Sequence, residues 1–132
     1  MIFVDAGAFY ARQDIRDQHH VESIKVWNDL EKGVSRMFTS TLVIVEAITL
    51  LARRVSYSFA AEHARLLYAS DRLVILRPDA EDERAAISVF EKFADSRISF
   101  TDSVSCILMR RHKIKRVFGF DRHFTRMGFD LF

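Results

Sequence analysis

Four acids in this chain of 132 residues stand where a carboxylate is awkward for folding and useful for chemistry: Asp5, Glu46, Asp102 and Asp121. Asp5 and Asp121 each close an apolar run, "MIFVD" and "RVFGFD", of the kind that reads as a buried parallel strand. Asp102 opens the amphipathic stretch "FTDSVSCILMRRHK", and Glu46 is the one charge inside "LVIVEAITLLA". Brought together, two carboxylates about 4 Å apart repel by roughly 4 kcal/mol at an effective dielectric of 20, and four multiply that repulsion. Something positive must sit among them. No Lys or His adjoins all four in sequence, and an oxygen-only donor set suits Mg²⁺ or Mn²⁺. Such an ion can activate a water and stabilise in-line attack on a phosphodiester, so the shared chemistry would be nucleic-acid hydrolysis.

Taken singly, each acid has an ordinary explanation. Asp5 could cap the next helix, Asp102 could complement a helix dipole, and Asp121 could serve a turn before "RHF". Glu46 is the hardest to excuse. Its helical neighbours Leu42, Val43, Ala47 and Leu50 offer no cation, and a buried unpaired carboxylate is expensive.

The elements that must position these acids alternate. "MIFVD" reads as a strand, "AGAFYARQD" as a short helix and "DQHH" as a loop. "VESIKVWNDLEK" spaces Val21, Ile24, Trp27 and Leu30 as an amphipathic helix, with Gly33 just past its end. "RMFTS" is a weak strand. Ser40 or Thr41 can cap a helix running through the glutamate stretch to Arg54, although the β-branched Val43, Ile44 and Val45 leave its start open between strand and helix. There follow helix "SFAAEHARLLYA", strand "RLVILRP", acid-led helix "DAEDERAAISVFEKFAD", a helix capped by Thr101 that ends in basic residues, strand "RVFGFD" and an edge strand "FDLF". Strands alternating with helices predict an α/β fold with a largely parallel sheet. Ligands of open α/β sheets collect beyond the carboxyl ends of the strands, where all four acids would project.

Length and composition predict one domain, residues 1–132, with 49% hydrophobic and 29% charged residues. No apolar stretch reaches the roughly 20 residues that span a bilayer, and the first residues lack a basic lead, so the expected compartment is the cytoplasm with no membrane partner. Cys106 is alone and reads as a small buried apolar residue. A net charge of +2 permits a nucleic-acid partner without indicating one. Among the basic residues, Arg12 and Arg16 follow the first strand's turn, and Arg122, His123 and Arg126 follow Asp121. These five are the phosphate candidates, with Thr101 a polar neighbour of the acids. The run from Arg110 to Arg116 precedes the strand that ends at Asp121, which puts it at the opposite sheet edge.

"FVDAGAFYA", "DQHH", "STLVIVEAITLL" and "SFTDSVSCILMRRHKIKRVFGFDRHF" together resemble the PIN-domain ribonucleases, the class that includes VapC toxins, from end to end of the chain. The most specific part is the last: an acid after Ser-Phe-Thr, then an acid shortly before His-Phe. The resemblance implies a PIN-like three-layer sandwich with a largely parallel central sheet flanked by helices. It also implies metal-binding, catalytic acids at Asp5, Glu46, Asp102 and Asp121, with Mg²⁺ or Mn²⁺ as cofactor and RNA as substrate. A cognate antitoxin and a homodimer are the partners it implies. Twelve Phe, with Phe59, Leu66, Leu67 and Tyr68 on one helix, read first as plain core packing and otherwise as a groove for an antitoxin's amphipathic segment or a self-association face. One position departs. Gly7 stands where the family usually has Ser, Thr or Asn, so a polar group that would hold a water beside the ion is missing.

Two rivals stay open at this level. A PIN-like RNA-binding or scaffold domain with weak or no catalysis fits the departure at Gly7. A phosphate-signalling α/β domain fits less well, because Asp5-Ala6-Gly7 lacks a second nearby acid.

Overall fold

Ile2, Phe3 and Val4 have no exposed surface, and they form the middle strand β1 (Ile2–Val4) of a five-stranded sheet. A strand buried on both faces needs cover on both, and the computed structural model, which describes all 132 residues, supplies it with helices. In chain order they and the other strands are α1 (Ala6–Gln13), α2 (His20–Lys32), β2 (Met37–Ser40), α3 (Thr41–Arg54), α4 (Tyr57–Ala69), β3 (Leu73–Leu76), α5 (Ala80–Lys92), α6 (Phe100–Arg111), β4 (Arg116–Phe118), α7 (His123–Arg126) and β5 (Asp130–Leu131). The sheet order is β3-β2-β1-β4-β5, and every pairing is parallel, the short edge strand β5 included.

The order explains the layers. The chain moves outward from β1 to β2 to β3, then returns to lie beside β1 as β4. Right-handed crossovers therefore put α1–α4 on one face and α5–α7 on the other. The packing agrees: α1 meets α2 and α3, α3 meets α4, and α5 meets α6. No helix is long and apolar enough to cross a membrane. Cys106 is fully buried in the core, as its isolation in the sequence predicts.

Local chemistry sets the helix boundaries. Ser40 Oγ accepts from the Val43 amide, which resolves the β-branched run in favour of α3. Next to it, Thr39 Oγ1 donates to Val4 O at 2.8 Å, tying the end of β2 to the end of β1. Two expectations need correction. Ser99, not Thr101, caps α6, because its hydroxyl accepts from the Asp102 amide while the Asp102 carboxylate accepts from the Ser99 amide. In α2 the buried face is Ser23, Trp27 and Leu30, while Val21 is 67% exposed. The helix is rotated so that Ser23 Oγ and Trp27 Nε1 both donate to Ala8 O; two satisfied buried donors prevail over one valine.

Candidate active site

The direction of winding reverses at β1, whose neighbours β2 and β4 are reached in opposite senses. The crevice beyond the carboxyl ends of β1 and β4 is the place where such a sheet opens to a ligand. Asp5 follows β1 there, and Asp121 follows β4 by three residues. The α6 helix runs back toward the start of β4, so its first turn, with Asp102, lies at the same edge. Glu46 is in the second turn of α3, which leaves the end of β2. All four acids line one cleft of about 510 Å³.

Their surroundings differ. Asp5 and Asp102 are 8% and 9% exposed, whereas Glu46 and Asp121 face the water of the cleft. The premise that Glu46 is buried among apolar neighbours is therefore wrong. Val43, Ile44, Ala47 and Leu51 form the buried stripe of α3, and Glu46 falls beside that stripe rather than within it. Asp5 occupies the cap position of α1 without a side-chain capping bond. Burial, then the charges of Asp102 and Glu46, push its carboxyl up to about 7, against the opposing pull of the Ala6 and Gly7 amides. Glu46 is raised by desolvation and by Asp102 and Asp121; Asp102 is raised by desolvation and by Asp121, with the Ser99 capping bonds acting the other way.

No Lys or Arg forms an ion pair with any of the four. The nearest basic group is His123, whose Nδ1 lies 3.0 Å from Asp121 Oδ2 and 3.6 Å from Asp102 Oδ2. That nitrogen is buried and aligned for a hydrogen bond with neither. Donor atoms of Asp102, Asp121 and His123 all lie within 4.8 Å of one another, as metal ligands do. Asp121 also has a structural task, since its Oδ1 accepts from the His123 amide at the start of α7. The donor set, mostly carboxylate oxygen with one unpartnered imidazole nitrogen and no competing cation, fits a divalent metal ion.

Residues 2–130 match the PIN domain family. The chain belongs to that family. A VapC ribonuclease of Archaeoglobus fulgidus is 27% identical over 124 residues, covering 92% of this chain and 78% of the relative. The crystal structure of Mycobacterium tuberculosis VapC20, a Sarcin-Ricin loop cleaving toxin, superposes with a TM-score of 0.89 at 27% identity, over 98% of this chain and 96% of that one. This is a VapC-like PIN domain.

The other residues singled out from the sequence divide. Arg122 and His123 of this PIN domain line the cleft; Thr101 does not, and Ser99 takes that place. Arg12 lies over the Trp27 ring and pairs with Glu31 at 2.7 Å. The guanidinium of Arg16 binds Asp14 and the carbonyl of Arg54; with the Tyr10 hydroxyl it holds the Asp14 carboxyl well below the usual range. Both arginines miss the cleft because α1 carries the chain away from Asp5 by about 1.5 Å per residue. Arg126 Nη1 reaches Ser96 Oγ at 2.7 Å and ties α7 to the segment before α6. The basic run ending α6 lies at the far edge as expected, with Arg111 paired to Asp79 and Asp82.

Arg97 escaped sequence reading. It lines the cleft, is exposed and unpaired, and holds the left-handed conformation, φ 54° and ψ 38°. Such backbone strain in a non-glycine residue costs on the order of 1 kcal/mol and concentrates at functional sites. The only sequence signal was a lone arginine five residues before Asp102.

Gly119 has a packing duty. A Cβ there would come within 3.0 Å of Asp5 Cβ and 3.4 Å of Asp5 Oδ2. Gly119→Ala should therefore displace Asp5, destabilise the domain by about 1–3 kcal/mol and weaken divalent-metal binding. Urea unfolding and Mn²⁺ titration check the two effects.

Proposed function

We propose that this PIN domain is a divalent-metal-dependent endoribonuclease, hydrolysing RNA phosphodiester bonds as the toxin of a toxin-antitoxin pair. The observation that carries the reading is the convergence of Asp5, Glu46, Asp102 and Asp121, from four separate elements, on one cleft with no Lys or Arg paired to them. The names of the relatives, a VapC ribonuclease and a Sarcin-Ricin loop cleaving VapC toxin, point the same way. The presence of all four acids in one cleft argues against the scaffold alternative that Gly7 suggests.

In this reading the four acids would hold Mg²⁺ or Mn²⁺, with His123 adjoining Asp121 and Asp102. The ion would supply Lewis-acid stabilisation of charge on the phosphodiester and a more acidic water. Asp5 and Asp102, packed against the ends of β1 and α6, fix the position of the charge. His123 braces the Asp121 carboxylate. Arg97 and Arg122 would attract the phosphates flanking the scissile bond. The decisive experiment is incubation of purified protein with a Sarcin-Ricin loop hairpin and with cellular RNA, with Mg²⁺, with Mn²⁺ and with chelator. Metal-dependent cleavage supports the reading, and metal-dependent binding without cleavage would favour the scaffold.

Each of Arg97→Ala and Arg122→Ala should weaken RNA binding and lower the slope of log affinity against log salt by about one unit, with little change in thermal stability. Arg12→Ala should leave that slope unchanged. Gly7→Ser is expected to be accommodated, since a Cβ at Gly7 would lie 3.8 Å from Asp5 Oδ2 and 3.9 Å from Phe120 Cδ2, ordinary contacts. The added hydroxyl beside Asp5 should tighten Mn²⁺ binding by about tenfold, read by calorimetry without RNA.

An antitoxin and a second copy are the protein partners of this proposal. Val45, Tyr57, Leu66 and Tyr68 on α3 and α4 are all more than half exposed, apolar side chains that a protein partner could cover. Sedimentation of the purified chain tests the homodimer.

A further inference from the structure

Phe120 is the only phenyl ring lining the acid cleft. It directly precedes Asp121 and is held from behind by the core. It meets Phe118 edge-on at 6.0 Å, Phe118 meets Trp27 at 5.3 Å, and Trp27 meets Phe9 at 5.5 Å. His19, from the loop between α1 and α2, lies flat on it, with centroids 4.2 Å apart and planes only 2° from parallel. Gly7 supplies the third element. Because a Cβ there would contact both the Phe120 ring and Asp5 Oδ2, its absence leaves an open wedge between an aromatic surface and an acid.

A rigid aromatic ring bordering a charged cleft is a poor feature for an apo protein and a good one for a ligand with a flat face and an attached phosphate. Nucleobases have that chemistry. Stacking on aromatic side chains tolerates any base but requires that the base be unpaired. We infer that Phe120, backed by His19, is a stacking platform for one unpaired nucleobase next to the scissile phosphate, making Phe120 a positioning residue. This rests on the ribonuclease reading and adds to it the side chain that would hold an unpaired nucleotide beside the cleaved bond. The ring's anchoring to the core means that little freedom is lost when a base settles on it.

The test uses a short single-stranded oligoribonucleotide that the wild type cleaves, and the same strand carrying an abasic ribose at each position around the cleaved bond in turn. Binding is measured in an Asp5→Asn background, with and without Phe120→Leu, Phe120→Tyr and His19→Ala. Phe120→Leu should weaken binding of the intact strand about tenfold. Phe120→Tyr should retain it, and His19→Ala, a change in a surface loop, should give a smaller loss. One abasic position should reproduce the loss in the Phe120 protein and show no further loss in Phe120→Leu. In cleavage assays with Asp5 intact, Phe120→Leu should raise KM more than it lowers kcat. Equal binding by the leucine and tyrosine variants, or the same leucine penalty at every abasic position, overturns the platform while leaving the nuclease intact. A wild type that cleaves no RNA with Mg²⁺ or Mn²⁺ overturns the nuclease reading and the platform with it.

Discussion

Asp5→Asn should abolish metal-dependent RNA cleavage, with a loss of at least about a hundredfold, while making the metal-free protein more stable at slightly alkaline pH. The lower bound on activity follows because loss of an outer partner of a metal ligand already costs 10–100-fold, and Asp5 is proposed as a ligand. The gain in stability follows from its surroundings. Asp5 is almost fully buried, unpaired, and close to two other carboxylates, so ionisation without a cation is unfavourable. An amide of the same shape removes that penalty. Opposite movements of activity and stability are the mark of an acid retained for function rather than for folding. Cleavage rates and urea midpoints on the same two proteins measure both, and wild-type cleavage by Asp5→Asn would remove Asp5 from the site.

The second large effect is in the pH dependence of the metal-free wild type. The carboxyl of Asp5 titrates at about 7 in the folded protein against 3.8 for the ordinary group. A raised pKa means that the folded state binds the proton more tightly. The contribution to stability is full below about pH 4 and is lost as pH rises through about 7. At 1.36 kcal/mol per unit, Asp5 alone should lower stability by about 3 kcal/mol from about pH 5 to about pH 8, and the raised carboxyls of Glu46 and Asp102 act in the same direction. Asp14 and Asp79, whose carboxyls are held down by Arg16 and by the α5 capping box with Arg111, act the other way at the acid end, and His63, whose imidazole burial holds down, acts the other way nearer neutrality, so the comparison with Asp5→Asn is what isolates the cleft. Adding Mn²⁺ at about pH 8 should restore stability by mass action, because the proposed ion would bind the folded cleft and not the unfolded chain. Asp5→Asn should flatten much of the slope. A metal-free wild type whose urea midpoint rises from about pH 5 to about pH 8 would contradict the assignment.

Much of this was legible in one dimension. Short apolar runs ending in acids, alternating with 3.6-periodic stretches, specify a parallel α/β sheet, because a strand buried on both faces has no polar alternation and must be reached by a crossover helix. Asp5 and Asp121 could be read as candidate site acids from their place at strand ends, and Asp102 and Glu46 from their place early in helices that start at the same sheet edge. Strand length also ruled the Arg110–Arg116 run out of the cleft, since the run precedes the strand that ends at Asp121 and so lies at the opposite sheet edge.

Other features depended on coordinates that no local pattern encodes. Val21 and Ser23 exchanged places on α2 because the carbonyl of Ala8 was available to two donors, a contact between elements 15 and 19 residues apart. Arg12 and Arg16 follow the first strand's turn in sequence, but helical rise carried them off to Glu31 and Asp14. Arg97 entered the cleft through a single left-handed residue. The degree of burial of Glu46 was misread because an apolar stretch does not state which side of its helix meets the sheet. The sequence by itself determined the fold class and pointed to four acids that the fold brings to one cleft, since hydrophobic period and the places of strand ends and helix starts are properties of the chain read in order. Only the tertiary structure decided which cations, which ring and which glycines surround those acids, because each depends on distances between segments that the order of residues leaves open.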